Sequence, residues 1–164
     1  MTTVQYCTPE WLEVSAKNYQ ESPKLQKAFE KLALKVCFLI RSEPEWGIDE
    51  DILFAADINH GALERLSFLS IEDAENEADF ILGATPQQWK KLLTKESKFV
   101  GDVLLGRVTV DKGSKPGVLN LAPYSTNFVE ALTPVEIQYP DDMTQEELVR
   151  YRAYIAEFRA ELRV

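Results

Sequence analysis

The only histidine of the chain, His60, lies between Asp57 and Glu64, and an imidazole flanked by two carboxylates could chelate a cation if the three converged. Side chains along a strand alternate between faces, so Asp57 and His60 start on opposite sides unless a turn rotates one of them. The spacing therefore favours a turn histidine with structural hydrogen bonds over a metal site. Cys7 and Cys37 are the only thiols. They form no C-x-x-C pair and have no histidine near them in sequence, so they read as free cysteines rather than a disulfide, a zinc site or an activated nucleophile. No G-x-S-x-G, S-x-x-K, G-x-G-x-x-G or G-x-x-x-x-G-K occurs, so neither serine catalysis nor a nucleotide cofactor is expected. Carboxylates are abundant in "EPEWGIDED" and "IEDAENE", and such runs read as solvated loops.

What remains is apolar surface with cations beside it. Trp89, Leu92, Leu93, Phe99, Val103, Leu104, Val108, Val110, Leu121 and Phe128 recur at structured intervals. Each by itself reads more readily as part of a close-packed core; that together they line a cavity for an apolar ligand is implied mainly by the family resemblance that the motifs below carry. Lys90, Lys91, Lys95, Lys98, Arg107 and Lys112 cluster around them in an otherwise acidic chain. They could meet an anionic headgroup, or be the lysines that surface helices carry for solubility.

Positioning these residues takes a series of elements. Thr8 as N-cap and Pro9 at the first helical position start a helix over 8–20, with Trp11, Leu12 and Tyr19 on its apolar side. After Ser22-Pro23, Leu25, Phe29, Leu32 and Val36 share one face of a second helix. Four strands in succession then follow, "KVCFLIR", "DILFAADI", "ALERLSFLS" and "ADFILGA", with Asn59-His60-Gly61 short enough for a hairpin. Thr85 to Gln88 caps a helix that carries Trp89, Leu92 and Leu93 inward. Phe99, Val100, Val103 and Leu104 mark another, ending at Gly106, and "RVTV" alternates as a fifth strand. Pro123 splits "VLNLAPYSTNFVEAL" into two short pieces. Beyond the linker "TPVEIQYPDD", Thr144 and Glu147 form a capping box for a long amphipathic helix over 143–164, striped by Leu148, Tyr151, Ile155, Phe158 and Leu162. That stripe could dock on its own domain or pair two copies into a homodimer.

The order of motifs resembles the sterol carrier protein-2 domain family over about residues 25–132. Ala78, Asp79, Phe80, Ile81 and Leu82 match a strand "A-D-x-x-(I/L)" of that family. Trp89, Leu92 and Leu93 match the following helix, and Gly106, Arg107, Val108, Val110 and Gly113 match a motif "G-(K/R)-(L/V)-x-(V/I)-x-G", here one residue longer. "KESKFVGD" lacks the proline that often opens the family's second short helix, Pro123 interrupts a helix that is usually continuous, and "ELRV" is not an S-K-L type peroxisomal address. The resemblance implies an α+β fold, a five-stranded mixed sheet with helices over one face. Between them it implies an apolar tunnel that binds fatty acids, acyl-CoAs or sterol-like lipids without transforming them.

Composition agrees with a single domain over 1–164, in which 8–20 and 143–164 extend the resembling part. Its 27 acidic against 18 basic residues, net charge −9, disfavour nucleic acid and anionic surfaces at long range. No apolar run reaches the roughly 20 residues of a membrane span, and "MTTVQYCTPEW" has no signal-peptide pattern, so a cytoplasmic protein without stable membrane insertion is expected. Two other functions fit the same residues. One is an interaction or dimerisation module without a usable cavity; the other is an acyl-thioester hydrolase, for which Asp102 or Asp79 would be the candidate base.

Overall fold

The computed structural model describes residues 3–164; Met1 and Thr2, the first residues of the expected domain, lie outside the described residues. In chain order the elements are β1 (Thr3–Gln5), α1 (Pro9–Gln20), α2 (Pro23–Ala28), β2 (Ala33–Ile40), β3 (Ile52–Asn59), β4 (Ala62–Leu69), α3 (Ile71–Glu77), β5 (Phe80–Ala84), α4 (Pro86–Leu93), α5 (Phe99–Leu104), β6 (Thr109–Lys112), α6 (Lys115–Leu119), α7 (Ser125–Leu132), β7 (Glu136–Gln138) and α8 (Gln145–Leu162). Five strands form one sheet in the order β4-β3-β2-β5-β6. The β2–β5 pair is parallel and the other pairs are antiparallel. This is the expected α+β fold with a five-stranded mixed sheet.

Local signals explain most boundaries. The hydroxyls of Thr8, Ser22, Thr85 and Thr144 each accept the backbone N–H three residues on, and a proline follows directly after the first three. At Thr144 the capping box is complete, with the Glu147 carboxylate accepting the Thr144 N–H at 3.0 Å. The β3–β4 hairpin turns on His60 and Gly61, both with positive φ, as a two-residue turn of the mirror-image type requires. A Cβ on Gly61 would stand 2.6 Å from the carbonyl oxygen of Gln26.

Other boundaries were set by packing. The helix expected through Val36 stops at Ala28, because Val36 belongs to β2, which pairs with β3 along its whole length and with β5 on its other side. A central strand's two ladders outweigh a helical periodicity of three or four apolar residues. "IEDAENE" is not a loop. Ser70 accepts the Asp73 N–H at 3.1 Å and starts α3; its acidic residues stay exposed, while Ala74 is buried against Cys37, Leu39, Leu53, Ala55 and Ile81 on the second face of the sheet. Passing over that face, the chain delivers β5 beside β2 instead of β4, so the four strands do not pair in sequence order. The fifth strand begins at Thr109 rather than Arg107, because the N–H groups of Arg107 and Val108 still bond to the Asp102 carbonyl at the end of α5. Pro123 does divide its segment, into a 3-10 turn at Ala122–Tyr124 and α7; α6 precedes them.

The two ends of the chain meet. The expected linker contains β7, which pairs in parallel with β1. Helix α8 buries Tyr151, Ile155 and Phe158 against the same chain. The Tyr151 hydroxyl donates to the Tyr6 carbonyl, Phe158 stacks on Phe68 at 5.1 Å, and the Arg159 guanidinium donates to the carbonyls of Glu50 and Asp51 at 2.9 and 2.7 Å. The stripe's last member, Leu162, stays half exposed.

Candidate ligand cavity

A cavity of about 470 Å³ lies between the sheet and its helices. Its floor is Val36, Phe38 and Ile40 of β2, three residues at the two-residue period that points side chains to one face, with Phe54 of β3 and Leu82 of β5 beside them. Trp89, Leu92 and Leu93 of α4 form one wall. Leu121 with Phe128, Val129 and Leu132 of α7 forms the other. Tyr6 and Trp11, both buried, line its inner part, whereas Lys95, Lys98, Val100 and Thr126 at the opposite rim are exposed.

The indole nitrogens of both lining tryptophans are turned away from this space. Trp89 Nε1 donates to the Leu39 carbonyl at 2.8 Å, and its ring stands edge-on to Phe38 at 5.7 Å. Trp11 Nε1 donates to the Leu132 carbonyl at 2.7 Å. Both indoles therefore present carbon to the cavity, and a lining of this kind offers water too few partners to hold it. Among the described residues no carboxylate, histidine or thiol lines the cavity, and Lys95 and Lys98 are its only cationic groups. Neither makes an ion pair among the described residues. Burial pushes the Tyr6 phenol well above its usual range, with the adjacent Cys7 adding to the effect, so its hydroxyl stays neutral.

Of the ten apolar residues singled out by spacing, Trp89, Leu92, Leu93, Phe99, Leu121 and Phe128 line the cavity. The other four do not. Val103 and Val108 are buried in the core, Val110 is half-buried on β6, and Leu104 is 57% exposed. On so short a helix Phe99 and Val103 share the inward stripe, and the neighbouring stripe, Val100 and Leu104, is rotated by about 100° toward solvent. Missed by the spacing argument were Val36, Phe38 and Ile40, although their alternation was visible within "KVCFLIR". Tyr6, Trp11, Phe54, Leu82, Ser125, Thr126, Val129 and Leu132 also line the space and carried no local signal for it.

The remaining candidate groups are engaged elsewhere. Fully buried Asp102 accepts from Gln88 Nε2 at 2.8 Å, Ser97 Oγ at 2.7 Å and Arg107 Nε at 2.8 Å. It ties α5 to α4 and does not line the cavity. Exposed Asp79 accepts the Lys35 N–H at 2.9 Å. Asp57 is bonded by Arg65 at 3.0 Å, and His60 Nδ1 lies 3.3 Å from the Glu30 carbonyl; among the described residues no three His, Cys, Asp or Glu side chains gather into a metal site. Of the cation cluster, Lys90 pairs with Asp141 at 2.8 Å, Lys112 donates to the Glu75 carbonyl at 2.6 Å and Arg107 pairs with Asp102.

Solved structures with this architecture carry a common description. A crystal structure of sterol carrier protein 2 superposes with a TM-score of 0.63 at 23% identity, over 78% of this chain and 95% of the other. The solution structure of a conserved hypothetical protein from Thermus thermophilus, described as a candidate sterol carrier protein, gives 0.68 at 21% identity, over 84% and 94%. Sterol carrier protein 2 from Yarrowia lipolytica, in its apo form, gives 0.54 at 9% identity, over 77% and 89%. The chain thus has the sterol carrier protein 2 fold. No protein-family model and no curated protein matches the sequence.

Proposed function

We propose that this chain is a non-catalytic carrier of hydrophobic small molecules, fatty-acid-like in shape, and that its residues form a single lipid-binding domain. The observation that carries the reading is the cavity itself: about 470 Å³ of space walled by aromatic and aliphatic carbon, with its cations confined to the open rim. An apolar cavity of about 150 Å³ accepts benzene, which scales to about 19 carbons for the volume here. Burying about 15 methylenes at about 0.8 kcal/mol each contributes about 12 kcal/mol, and ordering and association offset several kcal/mol of it, which leaves micromolar affinity. Sterols and acyl-CoAs share the apolar requirement; the two rim lysines, Lys95 and Lys98, support a ligand with an anionic head such as a fatty acid. The two structures described as sterol carrier protein 2 support the carrier reading in general.

A hydrolytic step would need a carboxylate facing the ligand, and both candidates point elsewhere. A dimerisation role for α8 is less favoured, since Tyr151, Ile155 and Phe158 of its stripe already pack on the same chain and Leu162 is the member left exposed. Unpaired Cys7 and Cys37 suit a reducing, cytoplasmic setting. Native mass spectrometry of the purified chain, followed by denaturing release, tests the proposal. A discrete apolar adduct, or saturable uptake of a fluorescent fatty acid by the bare protein, is the expected result; bare protein that also shows no saturation overturns it.

A further inference from the structure

Beside the cavity rim the chain exposes apolar carbon for which its own fold has no use. Val100 is 42%, Leu104 57% and Leu105 69% exposed, and all three project from α5 and its C-terminal end. Val100 also lines the cavity, and Leu104 follows it one helical turn on along α5, so apolar carbon leads from the lining to the outer surface. Around this patch the charge inverts. Between Lys90 and Arg107 stand five basic and two acidic residues, in a chain that otherwise carries a large acidic excess. One of the two acids, Asp102, is buried and neutralised by Arg107. Lys91, Lys95 and Lys98 are exposed and make no ion pair among the described residues. Lys95 adopts φ 64 just beyond α4, a place where glycine is the unstrained choice; a cation stands there instead.

We infer that the α5 rim is a docking surface for an anionic lipid bilayer, with Leu104 and Leu105 entering the headgroup layer and Lys91, Lys95 and Lys98 meeting lipid phosphates. The inference rests on the carrier reading and adds its route: cargo passes between bilayer and cavity past Val100 without crossing water. The net charge of −9 does not prevent this at physiological salt, where fields are screened beyond about 8 Å. The acidic remainder orients the molecule with this rim toward the membrane. Docking is reversible, since a patch of this size is far short of a membrane anchor.

Co-sedimentation with phosphatidylcholine vesicles, with and without phosphatidylglycerol, tests it. The wild type is expected to partition onto the anionic vesicles and to be released by salt. Lys95→Gln with Lys98→Gln lowers that partition about 30-fold, from roughly a fivefold contribution per lysine at an anionic surface. Leu105→Ser lowers it about tenfold and leaves fatty-acid uptake in vesicle-free buffer unchanged. Equal partition onto neutral and anionic vesicles, or none onto either, overturns the docking surface; so does a dimer that Leu105→Ser dissociates, because the patch then serves a second copy. Uptake of fatty acid without vesicle binding removes this inference and keeps the carrier, whereas vesicle binding without uptake removes the carrier and keeps the surface.

Discussion

Leu93→Asp and Leu104→Asp separate the cavity from the surface beside it. The two leucines look alike in sequence, each part of an apolar pair on a short helix, but Leu93 lines the cavity and Leu104 does not. An aspartate at 93 keeps its water and denies an alkyl ligand the burial of about three methylenes. At about 0.8 kcal/mol each this is about 2.4 kcal/mol, or about 60-fold in Kd. Because Leu93 is only half-buried, the fold itself loses about 1 to 1.5 kcal/mol, within the usual reserve of about 5 to 15 kcal/mol. At 104 the change is a surface substitution, within about 0.5 kcal/mol for stability and twofold for ligand. The assay is a fluorescent fatty-acid titration in vesicle-free buffer, with far-UV circular dichroism melts to establish that both variants are folded. Equal weakening by the two variants, or a wild-type Kd for folded Leu93→Asp, would refute the placement of the cavity.

Asp102→Ala strips a fully buried acceptor from Gln88, Ser97 and Arg107. Urea unfolding should show a loss of about 3 kcal/mol, and a loss under 1 kcal/mol would mean that the network does not hold α5. Gly61→Ala forces a Cβ toward the Gln26 carbonyl at positive φ and should cost more than about 1 kcal/mol; an unchanged melting temperature would contradict the turn geometry. Burial pushes the Cys7 thiol from 9.0 up to about 12 and the Cys37 thiol to about 11, so neither should react with a disulfide reagent at pH 8 until the protein is unfolded. Because both folded values exceed the unfolded ones, the stabilisation from neutral thiols is complete below about pH 9, falls progressively above it and is lost once pH has risen through 11 and 12. A melting temperature that stays flat from pH 8 to 11 would count against that burial.

Elements that carry their own start signals were legible residue by residue. Thr8-Pro9, Ser22-Pro23, Thr85-Pro86 and the Thr144–Glu147 box act over three or four residues, and the turn at His60-Gly61 needs nothing beyond local backbone conformation. Hydrophobic spacing marked Trp89, Leu92, Leu93, Phe99, Leu121 and Phe128 only as apolar faces, and the structure sets those six around the cavity. Local spacing could not say which stripe of a six-residue helix faces inward, and so it placed Leu104 beside Phe99. Nor could it find β1 and β7, whose three-residue strands exist only because they pair with each other across most of the chain.

What the sequence alone determined is the α+β alternation, the capped helices and an apolar surplus without reactive chemistry, since each depends on interactions among near neighbours. Tertiary structure decided that Val36 joins a central strand rather than a helix, that Trp11 meets Leu132 from 121 residues further along the chain, and that Asp102 is buried. It also left an apolar gap between the sheet and the helices. Whether facing apolar surfaces touch or stand apart depends on how distant elements are held, and the bonds that hold them here, from Trp89 to Leu39, Trp11 to Leu132 and Tyr151 to Tyr6, are all long-range.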